Sequence, residues 1–400
     1  MLGFNAIKQW FLGLFSRYDR YLIVELLNHY VQVTVLKVSA EKKEIRVVKN
    51  FLQPLPEFTP LNSLRAVRLL LKKVRRLDSY KIILSLDSSL ATTMYASVPL
   101  IRQHPKEAID EADLDNLISQ AIWKFFDRYR LKVANKMNVD DIDVLLSDVR
   151  IRSVRLDGHK IVNPIGFKAK SVEIYFSQTF IIRELMKMLQ ETMPKENIAL
   201  ITESGTAISH ILWRALGKDR FFVANLFPDQ TSLFSASNGR MSHHDNFSWG
   251  EQSLTRSLFN HLKVDQATAK SLVDAYATEN GSQNFLRRFE NILIKELQIF
   301  ANGLNSLIEE PSEIYVNSFF NMPSLIFSDR FNSRLHKSSK LLPLSTNLIT
   351  EKFGYSVQFK KSTQVKNIFS VLCAFLEINF LPQNDKMSHL ANRRVRWLIT

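Results

Sequence analysis

Side chains that could perform chemistry are few in this sequence of 400 residues, and each has a structural alternative. His243, His244 and Asp245 could bind a metal or relay a proton. However, adjacent residues of a strand point to opposite faces of the sheet, so the two histidines cannot easily chelate one ion. Ser204 precedes Gly205 but lacks the second flanking glycine of a nucleophile elbow. None of these residues predicts a catalytic or metal site.

Acidic residues and the single cysteine also fit structural roles. Asp110, Glu111, Asp113 and Asp115 stand where a helix is predicted to begin, and carboxylates at a helix N-terminus stabilise its dipole. Cys373 lies inside an apolar run with no activating base nearby, so we expect a buried thiol. One cysteine also excludes a disulfide framework and a cysteine-rich zinc site.

The charge balance predicts an anionic partner. The net charge is +14 and the isoelectric point is about 9.7, which suits either a nucleic acid or an anionic membrane surface. Basic residues are scattered except for one dense run at 72–76, which lies on a helix-like stretch. We find no zinc-finger spacing and no aromatic–basic RNA-binding signature, so we expect no nucleic-acid partner.

The order of predicted elements indicates an α/β body that repeats in outline. Strands are predicted at 21–38, 44–51, 81–86 and 92–98, with a helix at 61–77. A helix at 110–130 and strands at 143–156 and 170–176 form a small α+β insertion. After it come a helix at 179–193, a strand at 198–202 and a helix at 206–216. A hairpin of strands at 221–237 and 240–248 follows around Asn238-Gly239, and then helices at 254–262, 267–278 and 285–307 and a strand at 314–317. Two such halves predict a pseudo-symmetric α/β protein.

Several segments resemble the actin-like FtsA/PilM family over roughly residues 20–380. The most specific is Asn163-Pro-Ile-Gly166, which is similar to the signature of the FtsA-type inserted subdomain. Segments 21–33, 224–233 and 316–325 stand where the family has its two phosphate loops and its adenosine loop. The resemblance implies an α/β, actin-like (ribonuclease H-like) two-lobed fold with a small α+β inserted subdomain.

The family's nucleotide loops have lost their glycines here. ATP phosphates need closely approaching backbone N–H groups, which requires glycine at the turn, and a proline removes a donor outright. The resemblance implies ATP with Mg²⁺ as the cofactor, but the degenerate loops predict no bound cofactor and no enzyme; an active actin-fold ATPase is the less favoured alternative. The residues at these degenerate positions are Glu25, Leu27, Asn28, Asn225, Phe227, Pro228, Asp229, Thr231, Asn317, Ser318 and Phe319.

Both ends of the chain suggest contact with a membrane. Residues 1–20 carry an apolar stripe at helical spacing, which is typical of a helix lying in the membrane interface or packed on a protein. Three arginines precede an apolar stretch at the other end, as at a juxtamembrane edge; a frayed basic tail is the alternative. No stretch reaches the ~18–20 apolar residues of a membrane span, so we expect a cytoplasmic protein peripheral to the inner membrane. The predicted membrane-contact residues are Phe4, Trp10, Phe11, Arg393, Arg394 and Trp397.

A short segment near the C-terminus resembles the Ile-Asn-Leu-Leu-Pro arm of PilN, the membrane partner that PilM binds. We expect it to dock in cis between the inserted subdomain and the body. The resemblance implies a PilM-like scaffold of a type IV pilus assembly platform with PilN-like inner-membrane partners. The alternative is an FtsA-like tether of the division ring with FtsZ as partner, and self-association is open in both cases. The arm residues are Ile378, Asn379, Phe380, Leu381 and Pro382.

The predicted organisation has five parts. They are the N-terminal amphipathic helix at 1–20, the first lobe at 21–95, the inserted subdomain at 96–178, the rest of the first lobe with the second lobe at 179–376, and the arm with its basic tail at 377–400.

Overall fold

The computed structural model describes residues 18–27, 29–55, 59–360, 368–380, 387, 390 and 391. Most of the predicted N-terminal helix lies outside the described residues, and so do all six predicted membrane-contact residues. The same holds for Asn28, Leu381 and Pro382, and Phe380 is described in its backbone only. Asp19 and Arg20, which were predicted to end that helix, instead begin the first strand.

Strands and helices are interspersed along the described chain. The strands are β1 (Asp19–Leu27), β2 (Tyr30–Ser39), β3 (Glu44–Pro54), β4 (Lys81–Leu86), β5 (Ala91–Ile101), β6 (Val144–Leu156), β7 (His159–Ile161), β8 (Ser171–Ile182), β9 (Ile198–Glu203), β10 (Arg220–Leu226), β11 (Thr231–Ser237), β12 (Arg240–Phe247), β13 (Glu313–Ser318), β14 (Lys340–Pro343) and β15 (Ser356–Phe359). The helices are α1 (Pro60–Leu71), α2 (Glu111–Met137), α3 (Arg183–Gln190), α4 (Ser204–Leu216), α5 (Glu251–Leu262), α6 (Gln266–Ala277), α7 (Gln283–Leu307), α8 (Asp329–Asn332), α9 (Thr346–Phe353) and α10 (Ile368–Phe380).

Two sheets repeat one strand order. In the first lobe the order is β15-β3-β2-β1-β4-β9, and in the second lobe it is β12-β11-β10-β13-β14. In each lobe three antiparallel strands are followed by a fourth that pairs parallel to the first and a fifth that pairs parallel to the fourth. The two lobes therefore share the arrangement third-second-first-fourth-fifth, and the predicted pseudo-symmetric body is present, with β15 as an addition to the first lobe.

Central strands read as continuous apolar runs because helices cover both faces of the first sheet. Residues 21–27 of β1 are all buried, with α1 packed on one side and α4 with α10 on the other, as expected for sheets covered on both faces. This pattern concealed two turns. The strand predicted at 21–38 is in fact β1 and β2, and the strand predicted at 221–237 is β10 and β11.

A third sheet, β5-β8-β6-β7, forms the inserted subdomain together with α2. Its strands span residues 91–182, so the sheet begins and ends slightly outside the predicted insertion of 96–178. The helix predicted at 179–193 begins only at Arg183, since residues 179–182 complete β8. The side chain of Asp110 accepts a hydrogen bond from the backbone N–H of Asp113 and so caps α2, as the acidic cluster predicted.

The hairpin between β11 and β12 turns at Asn238 and Gly239, as predicted. Both residues have positive φ angles, 50° and 73°, which a tight two-residue turn of this kind requires. His243 and His244 on β12 make separate contacts: the first with the side chain of Asn246, the second with the carbonyl of Leu307. They do not converge on one site.

The last helix, α10, belongs to the core of the first lobe. Residues 368–377 are buried, including Cys373, and burial raises the pKa of its thiol well above the usual range. Ile378 and Asn379, predicted to begin an arm, are the last turn of this helix, and Ile378 packs on the same core. The boundary predicted at 377 is therefore wrong, because the apolar face of the helix continues to its end.

Candidate functional site

The cleft between the lobes lies where the β1–β2 turn meets the β10–β11 turn. Four side chains, Leu27 and Tyr30 from the first lobe and Phe227 and Phe319 from the second, form an apolar group that we call the cleft cluster. The rings of Phe227 and Phe319 stack with centroids 4.7 Å apart and 6° between their planes. Tyr30 packs on Phe319 at 5.4 Å. Side chains from both lobes therefore fill the place of the predicted phosphate loops.

A polar contact closes the rim of this cleft. His29, in the β1–β2 turn, and Asp229, in the β10–β11 turn, share a hydrogen bond through Nε2 and Oδ1. His29 is mostly buried and Asp229 is half exposed. Because each residue sits at the tip of its turn, this contact links the two lobes directly above the cleft cluster.

The second turn is pinned to the start of α5. Pro228 has no backbone N–H, and its carbonyl accepts a hydrogen bond of 2.7 Å from the backbone N–H of Gln252. A Cβ at Gly250 would lie 2.1 Å from the carbonyl oxygen of Phe227, so only glycine permits this approach. The hydroxyl of Thr231 donates to the carbonyl of Trp249 at 2.9 Å. The N-terminus of α5 thus uses one of its backbone N–H donors to bind the β10–β11 turn of the same chain.

The third loop is held against the second by buried amides. Asn317 donates from Nδ2 to Oδ1 of Asn225 at 2.9 Å, and both side chains are buried. The backbone N–H of Phe319 donates to the carbonyl of Leu226 at 3.0 Å. The hydroxyl of Ser318 donates to the carbonyl of Phe320 at 2.7 Å. These contacts fix the ring of Phe319 over the cleft.

A buried carboxyl forms the floor of the cleft. Glu25, on β1, accepts hydrogen bonds from the hydroxyls of Ser85 at 3.0 Å and Ser370 at 2.9 Å. Burial raises its pKa to about 7, against the opposing effect of these two hydrogen bonds. Burial also raises the pKa of Asp87, although the backbone N–H and hydroxyl of Ser89 oppose the shift. Both groups therefore favour the protonated form more than an exposed carboxyl does.

Space between the floor and the cleft cluster is too small to admit a water molecule. Polar side chains line it, namely those of Asp87, Ser88, Ser204 and Ser232, under the ring of Phe227. Phe234 closes one side, and a Cβ at Gly205 would lie 2.2 Å from its ring. The polar floor is thus buried beneath the ring of Phe227.

These residues do not fit ATP with Mg²⁺, the cofactor that the fold implies. A triphosphate needs free backbone N–H groups in turns that it can approach closely, whereas here side chains occupy the turns and a proline replaces one donor. Both oxygens of Glu25 already accept hydrogen bonds from serines. Within the described ranges, no group of three His, Cys, Asp or Glu residues could hold a metal ion.

A second buried cluster, which sequence reasoning missed, joins α10 to α4 and to the inserted subdomain. Glu377 contacts Nδ1 of His210 and lies 3.2 Å from Nη2 of Arg152, which comes from β6. Nε of Arg214 donates to Nε2 of His210 at 3.2 Å. An acceptor at Nε2 requires a neutral ring, so Nδ1–H donates to Glu377.

The pKa values of this cluster agree with a neutral histidine. Burial alone would raise the pKa of Glu377, but His210 and Arg152 together hold it down at about 2. Burial lowers the pKa of His210 in spite of the carboxylate beside it. Arg152 therefore supplies the positive charge that balances Glu377. No local sequence signal marks this cluster, since its members stand far apart in the chain.

Residues beyond α10 reach the inserted subdomain. Met387 and Leu390 pack against its core, and Ala391 is fully buried there. The C-terminal segment thus contacts the subdomain of its own chain at three described positions. The docking in cis predicted for the arm stays a prediction, because the residues in contact here lie further along the chain than the predicted arm.

No family model matches the chain, and no curated protein matches its sequence. Solved structures do match. A chain of the PilM–PilN type IV pilus biogenesis complex has a TM-score of 0.50 and 12% identity, with 90% of this chain and 97% of that chain covered. The ethanolamine utilization protein EutJ from Carboxydothermus hydrogenoformans has a TM-score of 0.38 and 11% identity, with 91% and 90% covered. A Bacteroides thetaiotaomicron protein with an actin-like ATPase fold and unknown function has 0.37 and 11%, with 91% and 97% covered.

The predicted fold is confirmed: the chain has the two-lobed actin-like fold, and the suspected likeness to PilM-type proteins holds at the level of fold. Identity this low carries no function with it. Among the helices that the structure describes, none combines the length and the apolar character needed to cross a membrane.

Proposed function

We propose that this chain is a non-catalytic actin-like scaffold at the cytoplasmic face of the inner membrane and serves as a PilM-like component of a type IV pilus assembly platform. The cleft cluster is the observation that carries the non-catalytic part. Rings from both lobes fill the space between the two turns, and Phe227 is almost completely buried.

Nucleotide binding would require these side chains to leave the cleft. Each buried aromatic ring contributes roughly 2–3 kcal/mol through removal from water, so expelling Phe227 and Phe319 would cancel much of the binding free energy of a nucleotide. The buried floor adds a second obstacle, since Glu25 would have to exchange its two serine partners for a hydrated metal ion. The lobes are thus held together by the protein itself.

Calorimetric titration with Mg-ATP to 5 mM, beside thermal unfolding with and without nucleotide, tests this part. We expect no heat of binding and no shift in Tm. A matched variant, Phe227→Gly with Phe319→Gly, opens the cleft, and the exposed Phe259→Gly serves as its control. A rise of several degrees for the unmodified chain would overturn the proposal, because such a shift requires a ligand well above its Kd.

The pilus part rests on the fold shared with a chain of the PilM–PilN complex and on the C-terminal segment. We propose that the segment after α10 acts as a PilN-like arm that docks in cis, with Met387, Leu390 and Ala391 seated on the inserted subdomain. A PilN-like inner-membrane protein would then compete for the same surface.

Competition for that surface can be measured with a fluorescent peptide from the cytoplasmic part of a PilN-like protein. Ala391→Asp should release the arm and strengthen peptide binding, because a buried carboxylate is costly. Lys360→Asp changes charge at an exposed position and should leave binding unchanged. No binding of the peptide to either variant would contradict the pilus role.

An FtsA-like tether of the division ring is the second candidate. It is supported by the inserted subdomain, in which the Asn163–Gly166 turn is ordered: Asn163 Oδ1 accepts from the N–H of Ile165 at 3.2 Å, and Gly166 has a φ of 87°. A peptide from the C-terminus of FtsZ, used in the same assay, separates the two roles. Binding of that peptide and not of the PilN-like one would favour division.

A further inference from the structure

Two lysines share one aromatic ring on the outer part of the first lobe. The ammonium groups of Lys49 and Lys73 lie 5.8 Å and 5.4 Å from the ring centroid of Phe51. Nζ of Lys49 also donates to the carbonyl of Lys73 at 3.2 Å. Ring and carbonyl together hold two like charges close to one another, an arrangement that becomes favourable when an anion lies above them.

The dense basic run continues this surface. It was predicted on a helix, but α1 ends at Leu71 and the run forms a fixed turn. Backbone N–H groups of Lys73 and Val74 donate to the carbonyls of Leu70 and Leu71, and the side chain of Val74 is buried. Arg76 has a left-handed φ of 58°. The turn is therefore anchored and does not merely extend a solvated helix face.

We call the side chains of Lys49, Phe51, Lys72, Lys73, Arg75 and Arg76 the basic turn. Its five cations are exposed, and no ion pair joins any of them to an acidic side chain within the part of the chain that the structure describes. Asp78, the nearest acid in sequence, is exposed and forms none either. An unneutralised cluster of this density attracts an extended anionic surface.

The position of the basic turn in the fold identifies that surface. The turn leads from α1 to the beginning of β4, at the end of the sheet where Tyr21 pairs with Lys81 and the chain enters β1. Helix α10 runs toward the same end, since Ser370 contacts Glu25 and Phe375 contacts Tyr21 further down the strand. The described chain therefore enters β1 at the end of the lobe that carries the basic turn. The C-terminal part of α10 lies toward the same end, which is away from the cleft.

We propose that the basic turn binds the anionic surface of a lipid bilayer and orients the first lobe with its cleft away from the membrane. This proposal rests on the membrane-peripheral role proposed above. Two of the cations, Lys49 and Lys73, flank the ring of Phe51, an arrangement that suits a plane of anionic headgroups. The basic residues of the rest of the chain are spread over both lobes and do not concentrate in this way at another described turn of the first lobe.

Vesicle co-sedimentation of the full chain tests the proposal. Vesicles of phosphatidylcholine alone are compared with vesicles that contain 30% phosphatidylglycerol, an anionic lipid, at low and high salt. Lys72→Gln with Lys73→Gln and Arg75→Gln should weaken binding to anionic vesicles by about tenfold or more, since each cation near the surface contributes about fivefold. High salt should remove the difference.

The matched control removes three exposed cations from the second lobe: Arg287→Gln with Arg288→Gln and Lys295→Gln on α7. It should change binding less than about twofold, because these groups lie far from the proposed contact plane and salt screens distant charges. An equal loss in both variants, or no loss in the first, overturns the proposal. A variant-specific loss of duplex DNA binding, with vesicle binding unchanged, overturns it in favour of a nucleic acid.

Failure of this proposal and failure of the scaffold role are distinguishable. The PilN-like peptide assay uses the inserted subdomain and no membrane, so the basic-turn variant should bind that peptide as the unmodified chain does. Loss of vesicle binding with intact peptide binding supports the membrane contact alone. Unchanged vesicle binding with intact peptide binding refutes the basic turn and leaves the scaffold role standing.

Discussion

His29 and Asp229 stand 200 positions apart in the sequence, yet their side chains share a hydrogen bond that joins the two facing turns of the lobes. Beneath this bond the cleft cluster fills the space that a nucleotide would need. The two lobes are therefore connected by packed side chains at this cleft.

Removing one ring of the cleft cluster should lower stability substantially. We expect Phe227→Ala to reduce the free energy of unfolding by about 3 kcal/mol, because truncating a buried phenylalanine leaves a cavity. Phe259→Ala, at a side chain that is 45% exposed, should cost less than about 1 kcal/mol. Urea titration of both variants measures the two losses of unfolding free energy. Equal losses would mean that the stacked rings stabilise the fold no more than an exposed ring does.

Glu25 should make stability fall as the pH rises. Its pKa in the folded protein is about 7, above the ordinary 4.5, so the folded state holds the proton more tightly than the unfolded state does. Its contribution is therefore fully present below about pH 4.5 and is lost as the pH rises through 7. Glu25→Gln should gain up to about 3 kcal/mol relative to the unmodified chain between pH 5 and pH 8.

Urea titration at a series of pH values measures this gain. Glu41→Gln removes the same charge at an exposed position and should follow the unmodified chain across the range. If the difference in unfolding free energy between Glu25→Gln and the unmodified chain does not increase with pH, the carboxyl of Glu25 is not buried in its protonated form.

Glu377 should make stability fall as the pH falls, which is the opposite of the effect of Glu25. Its folded pKa is about 2, below the ordinary 4.5, so its contribution is present above pH 4.5 and is lost as the pH falls toward 2. Glu377→Gln leaves the partly buried Arg152 without this counter-charge and should cost about 3 kcal/mol at pH 7. Glu351→Gln, at an exposed site, is the control. A loss that persists undiminished at pH 2.5 would argue against the charge pair.

A side chain at position 205 should destabilise the folded protein. A Cβ at this position would lie 2.2 Å from the ring of Phe234, so Gly205→Ala must displace that ring, at a cost of about 2 kcal/mol. Gly217→Ala provides a comparison: it is strained by a φ of 63° but meets no atom within 4 Å, so about 1 kcal/mol is expected. Thermal unfolding ranks the two, and a reversed order would show that Phe234 moves freely.

Local patterns in the sequence predicted much of the fold. The Asn238-Gly239 hairpin, the capped start of α2 and the apolar strands β3, β4 and β9 follow from turn chemistry and periodicity that act over a few residues. The turn at His29 escaped notice because β-branched and apolar residues continue on both sides without a glycine or proline.

The site was predictable only in part. Missing glycines indicated that the loops at Leu27 and Pro228 had changed, and the structure places these loops opposite one another. Sequence could not show that Phe227 and Phe319 stack, nor that Arg152 meets Glu377 across 225 positions. Such contacts depend on how three sheets are arranged, and no local spacing encodes that arrangement.

The place of α10 has a consequence for synthesis on the ribosome. The second sheet is built from one continuous stretch, Arg220–Leu226 to Lys340–Pro343, whereas the first sheet takes β15 and its buried helix α10 from the last part of the described chain. We therefore expect the second lobe to fold while the first is still incomplete. Protease treatment of a chain truncated near residue 350 and released from the ribosome should leave the second lobe protected and digest the first, and the order of maturation would then run against the order of translation.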